Sequence, residues 1–169
     1  ARYVEDLAET IRKVAADSVH LVAGKSGGIS VMVLAATYPG LARTVTASCT
    51  PVTPPAAQGW IEEMERDGIR SWAKRTQRSR MGSRMPEAGI EWWSDLMGET
   101  KLSTAHAYLR WVGGIDIRED VKRIRCPTLV IGTDTSHRGR RTYEDWQKTI
   151  PHSELMMLPL DGYHAAATD

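Results

Sequence analysis

Val4, Leu7, Ala8, Ile11, Val14 and Ala15 recur at steps of three and four residues, with Glu, Asp, Arg and Lys between them. That spacing predicts an amphipathic helix over 2–15 with one buried face. Val19-His20-Leu21-Val22-Ala23 is short, largely apolar and partly β-branched, the pattern of a buried strand. Gly24-Lys25-Ser26-Gly27-Gly28 then leads into a nearly continuous apolar helix from Ile29 to Tyr38, stopped by Pro39-Gly40. Residues 42–48 read as a second strand. Helix, strand, tight turn, buried helix and strand imply a parallel sheet with crossover helices.

Pro51, Pro54 and Pro55 mark a break in this pattern. Helical spacing follows over 56–67, 86–97 and 101–112. Between the first two lies a basic stretch: Arg66, Arg70, Lys74, Arg75, Arg78, Arg80 and Arg84. Five of the six tryptophans (Trp60, Trp72, Trp92, Trp93 and Trp111) fall in the same section, and no strand is expected there. Residues 54–114 therefore read as a helical insertion between core segments 1–53 and 115–169. The alternation resumes with a strand over 128–131, ending at Gly132-Thr133-Asp134, and a helix over 139–150 that carries Tyr143, Trp146 and Ile150. A strand over 153–158 follows, then Pro159, a Gly162-Tyr163-His164 turn and a helix starting at Ala165.

Composition narrows the function classes. The 169 residues are 41% hydrophobic and 25% charged, ordinary for a folded domain. With 22 basic against 21 acidic residues the net charge is +1, so no general affinity for nucleic acid or anionic membrane is expected. No apolar run approaches the roughly 18 residues that a membrane span needs. Cys49 and Cys126 lie far apart in apolar surroundings and read as free thiols, which fits a cytoplasmic protein. There is no CxxC, no HExxH and no His/Cys cluster at zinc spacing, so no metal site is expected. The basic stretch could receive an anionic substrate, although a solvated helix face is the plainer reading.

The turn at 24–28 carries the strongest chemical signal. It reads Gly-x-Ser-x-Gly, with Gly24, Ser26 and Gly28. A strand that reverses sharply into a helix needs little bulk two positions before and after the serine. The serine is then expected on a strained turn with its hydroxyl exposed, and the Gly27 N–H facing the place where an oxyanion forms. Gly24-Lys25-Ser26 also imitates the end of a phosphate-binding loop, but Val19 stands where that loop needs its first glycine.

A serine needs a base, and the base needs a group to orient it. His20 lies within a strand, His106 in the insertion, and His137 and His152 in polar flanks. His164 follows the last strand on a glycine turn, where it could return to the edge that holds Ser26. Asp134 ends the 128–131 strand at the edge where α/β proteins assemble their sites.

In the segments HLVAGKSGGISVMVLAATYPG, RIRCPTLVIGTD and ELMMLPLDGYHAAATD the chain resembles the α/β-hydrolase family over 1–50 and 115–169, with the insertion matching that family's variable cap. The resemblance implies an α/β-hydrolase fold: a mostly parallel sheet with a helical cap. It implies Ser26 as nucleophile, His164 as general base, Asp134 as the orienting acid and Gly27 as an oxyanion-hole amide. Asp134 stands one position nearer the glycine than the common family pattern, where Thr135 falls. The family's first strands would precede residue 1, so the domain is expected to be incomplete. A second chain or segment would then supply the missing N-terminal half, and residues 1–169 alone are not expected to form an independently stable enzyme.

The implied reaction is hydrolysis of a small carboxylic ester or lactone through an acyl-enzyme, with no cofactor required. C–C bond hydrolysis, haloperoxidase-like chemistry and a non-catalytic ligand-binding relative are the alternatives. Lys25, Trp92 and Trp93 are the candidate substrate-binding residues, the tryptophans being equally readable as ordinary helix-packing aromatics.

Overall fold

The computed structural model of the chain describes residues 2–15, 17–55, 57–135 and 139–168; His137 lies outside them. In chain order the elements are α1 (Arg2–Val14), β1 (Val19–Gly24), α2 (Lys25–Thr37), a 3-10 turn (Pro39–Leu41) and β2 (Ala42–Ser48). There follow α3 (Gln58–Asp67), α4 (Ile69–Met81), α5 (Glu87–Gly98), α6 (Leu102–Gly113) and the single turn α7 (Arg118–Val121). The last are β3 (Thr128–Thr133), α8 (Arg140–Gln147), β4 (Ser153–Leu158) and α9 (Ala165–Thr168). These residues form two compact units. One runs through Thr53 and resumes over Asp116–Pro159; the other holds Pro54–Ile115 and the segment from Leu160 onward.

The first unit is a four-stranded sheet in the order β1-β2-β3-β4, parallel at every pairing. Each connection crosses over through helix, as parallel strands require. The strands present Leu21, Val45, Ala47 and Val130 to one buried face. Helix α2 supplies Ile29, Met32 and Leu34 to the core, and α1 adds Val4, Ala8 and Ile11 at the predicted spacing. Helix α8 lies against the same face: Tyr143 is buried, and a Cβ on Gly132 would stand 2.7 Å from its Cδ2.

The opposite face is unlike it. One register row reads Val22, Thr46, Leu129 and Glu154. Val22, on the outermost strand β1, is 74% exposed, and Met156 on β4 is 49% exposed. All-parallel sheets are ordinarily covered on both faces.

One boundary departs from the sequence reading and matters for the site. The helix expected from Ile29 begins at Lys25, directly after extended Gly24 (φ −113°, ψ 157°). The glycine-rich segment is thus the first turn of α2, and the reversal occupies a single residue.

In the second unit, Ile61, Met64, Ile69, Trp72, Ala73, Met81, Ile90, Leu109 and Val112 form the core. Helix α4 falls in the basic stretch, whose plainer reading as a solvated helix face carried no bounds. Its buried positions Ile69, Trp72, Ala73, Gln77 and Met81 keep helical spacing, and the basic residues between them dilute the signal. Gly82 closes α4 at φ 81°, and a Cβ there would meet Asp161 Oδ1 at 2.4 Å. That approach is fixed by Ser83 N–H donating to Asp161 Oδ1 (2.9 Å), while Tyr163 and His164 N–H donate to the Arg80 carbonyl (2.8 and 3.1 Å). These bonds place residues 160–168 with the helical unit, although the sequence reading grouped them with the core.

Candidate active site

Parallel strands end on one edge, and that edge collects the candidate residues of the first unit. Lys25 follows β1 with φ 54°, and Cys49 follows β2 with φ 48°. For a side chain with a Cβ, this region costs about 1–2 kcal/mol per residue. Cys49 is held there by its N–H donating to the Ile131 carbonyl (2.8 Å), with Sγ 3.7 Å from Thr133 Oγ1. Both Cys49 and Cys126 are free thiols, and partial burial raises the Cys126 pKa.

The strain stands on Lys25, whereas the sequence reading expected it on Ser26. The physical reason is the early start of α2. With Gly24 extended and helix from Lys25 onward, Lys25 makes the reversal and Ser26 sits in ordinary helical backbone. The expected need for small residues also shifts. Gly28 is required, because a Cβ there would fall 1.8 Å from Thr50 Oγ1. Gly24 is not under that pressure: its Cβ would lie at an ordinary 3.6 Å from the Ser48 carbonyl. A Cβ on Gly27 would lie 3.6 Å from that of Ala23, so the small residues facing each other across the reversal are Ala23 and Gly27, two before and two after Lys25. That Ala-x-Lys-x-Gly frame was the available signal, masked by the overlapping Gly-x-Ser-x-Gly.

Ser26 and Gly27 occupy the first turn of α2, where backbone N–H groups have no partner within the helix and the helix dipole favours negative charge. Asp134 is exposed, immediately beyond the end of β3. It shares the edge with Ser26 but lies two strands away, a spacing of about 10 Å between strand axes.

His164 belongs to the other unit, on the turn that Arg80 holds, with its ring 5.3 Å from that of Tyr163. In that unit Trp92 and Trp93 of α5 meet edge to face at 4.9 Å, and Trp92 is 58% exposed. The remaining described histidines have other surroundings. His20 is on the exposed sheet face, with Nδ1 2.8 Å from Thr44 Oγ1; His106 Nε2 is 3.5 Å from Glu65 Oε1; His152 sits in the exposed turn before β4. Among the described residues, no group of three or more His, Cys, Asp or Glu is placed to hold a metal, and no helix is long and apolar enough to cross a membrane.

No family model matches the sequence, and no curated protein is significantly similar to it. Solved structures do match. A hydrolase from Oleispira antarctica superimposes with a TM-score of 0.87 at 18% identity, over 99% of this chain and 66% of that one. The enol-lactonase from Burkholderia xenovorans gives 0.83 at 14% identity, over 97% and 66%. A bromoperoxidase from Bacillus anthracis gives 0.83 at 15% identity, over 98% and 68%. The chain has the α/β-hydrolase fold and spans about two thirds of the length of these structures.

Proposed function

We propose that the chain carries the reactive edge of an enzyme that hydrolyses a small carboxylic ester or lactone at the junction of β1 and α2. One observation carries the reading: a strained non-glycine residue at a strand-to-helix reversal, on the carboxyl edge of a sheet whose fold is shared with hydrolases and an enol-lactonase. The fold alone does not choose the chemistry.

Two mechanisms fit that edge. In the first, His164 takes the proton of Ser26 Oγ, which attacks the acyl carbon. Asp134 orients the imidazole and the Gly27 N–H receives the oxyanion. The proton leaves with the alcohol, and water then releases the acid from the serine. In the second, the Lys25 ammonium stabilises the oxyanion and His164 takes a proton from water. The water oxygen adds to the acyl carbon, the alcohol leaves with the proton, and no acyl-enzyme forms. The position of the strain on Lys25 favours the second. Neither mechanism calls on a cofactor, and Trp92 and Trp93 supply apolar surface for the substrate.

Labelling with a fluorophosphonate, followed by peptide mapping, separates the two. Modification of Ser26 establishes an activated serine and the first mechanism. An unmodified Ser26 in a chain that hydrolyses esters establishes the second.

The exposed Val22 on the outermost strand supports a further part of the reading: another segment or chain pairs along β1 and completes the sheet. Free thiols at Cys49 and Cys126 support a reducing, cytoplasmic setting.

A further inference from the structure

The basic residues from the end of α3 along α4 are matched almost throughout. Arg66 pairs with Asp67 at 2.8 Å, Arg70 with Asp95 at 2.5 Å and Lys74 with Glu91 at 2.6 Å. Arg75 pairs with Glu63, and Arg78 with Glu87. All these basic residues are exposed, so their pairs contribute little to stability.

Arg80 breaks the pattern. Its guanidinium lies over the Trp72 ring, 4.1 Å from the centroid, and Nη1 stands 3.9 Å from the Met97 sulfur. Its Nε is sealed from solvent with no acceptor. The charged or titratable neighbours acting on it are Tyr163, Tyr108 and Arg75, and no carboxylate among the described residues pairs with it. Burial accordingly pushes its pKa down. A second donor beside it is also unsatisfied: Trp72 is 4% exposed and its Nε1–H has no partner. Buried arginines are ordinarily paired, and each unsatisfied buried donor costs about 1–3 kcal/mol. The backbone carbonyl of this same arginine holds the turn that carries His164.

We propose that Arg80, with the Trp72 indole N–H beside it, is the seat of a carboxylate on the substrate. The preferred substrate is then a small ester or lactone that bears a second, free carboxylate. A guanidinium offers Nε and Nη hydrogens in a planar fork that matches the two carboxylate oxygens, and its value rises where water is excluded. The inference rests on the proposed hydrolysis for the reaction but not for the binding, so the two can fail separately.

Thermal unfolding of the protein with its sheet completed along β1, in sodium butyrate against butyramide with sodium chloride at equal ionic strength, reads the binding without turnover. Butyrate at about ten times its dissociation constant is expected to raise Tm by about 3 °C over butyramide. In Arg80→Met the difference disappears, while Tm stays level or rises, because an apolar side chain replaces an uncompensated charge. Should Arg80→Met fail to fold, Arg80→Gln is measured in its place with the same expectation for butyrate. Equal effects of butyrate and butyramide on the unsubstituted chain overturn the proposal, as does a butyrate effect that survives the substitution. Butyrate stabilisation without hydrolysis of any ester refutes the reaction and leaves the carboxylate seat standing.

Discussion

The two units hold their unfavourable features in different forms. In the sheet unit the cost lies in the backbone, at Lys25 and Cys49 where β1 and β2 end and at His152 (φ 56°) before β4. In the helical unit it lies in electrostatics, at Arg80, whose neighbours along α4 are paired while it is not. Both features sit beside candidate catalytic residues: Lys25 next to Ser26, and Arg80 under the turn of His164. The contrast teaches that a site can be found through what the fold tolerates. A parallel sheet offers a sharp reversal at its carboxyl edge, and a helical layer offers a dry place for a charge.

The comparison can be broken most forcefully at Gly28. A methyl group there collides with Thr50, so Gly28→Ala is expected to destabilise the sheet unit by about 3 kcal/mol in urea unfolding. Adding Thr50→Gly should recover most of that loss, and an additive double variant would show that the collision is not the cause.

A smaller effect of opposite sign is expected at the reversal. Lys25→Gly removes the left-handed strain and should stabilise the chain by about 1 kcal/mol, while Ser26→Gly, in ordinary helical backbone, should destabilise it by a similar amount. Destabilisation by Lys25→Gly would mean that side-chain contacts outweigh the strain.

The exposed sheet face gives a weaker readout. Val22→Thr should leave unfolding within about 0.5 kcal/mol of the parent, because the side chain is on the surface. It should reduce concentration-dependent self-association in sedimentation if the β1 edge is adhesive. Unchanged association would place the contact elsewhere.

The smallest effect is the pH dependence of an exposed pair. Asp116 accepts hydrogen bonds from the Arg118 side chain and N–H, which lower its pKa to about 2. A carboxylate depressed in the folded state contributes stability above its unfolded pKa and loses it as pH falls through the folded one. The contribution should therefore be intact above about pH 4, fade toward pH 2, and shrink with added salt. Acid unfolding of Asp116→Asn reads it by difference, and curves parallel to the parent would contradict it.

The sequence pattern anticipated the strands and the crossover order because short apolar or β-branched runs, separated by helical spacing, mark the strands from Val19 to Leu158. It gave α4 as a helix face without bounds because arginine and lysine occupy the outward positions between Ile69, Trp72 and Met81. The strand-to-helix reversal was legible as a location and not as a residue. Two small-residue frames overlap at 23–28, and spacing alone cannot say whether Lys25 or Ser26 makes the reversal; the backbone does. Nor could charge counting separate Arg80 from the paired basic residues around it, since pairing depends on which helix faces which.

The most direct test is the rate of 4-nitrophenyl butyrate hydrolysis by the protein with its sheet completed along β1, unsubstituted and as Lys25→Gly and Ser26→Ala, normalised to folded protein. Hydrolysis by the unsubstituted, completed protein is expected, with a loss on the order of 100-fold in Lys25→Gly as a carbonyl-stabilising donor is removed, and a change within about threefold in Ser26→Ala. A collapse of activity in Ser26→Ala with Lys25→Gly still active would contradict this reading, and so would an unsubstituted protein, its sheet completed along β1, that hydrolyses no ester.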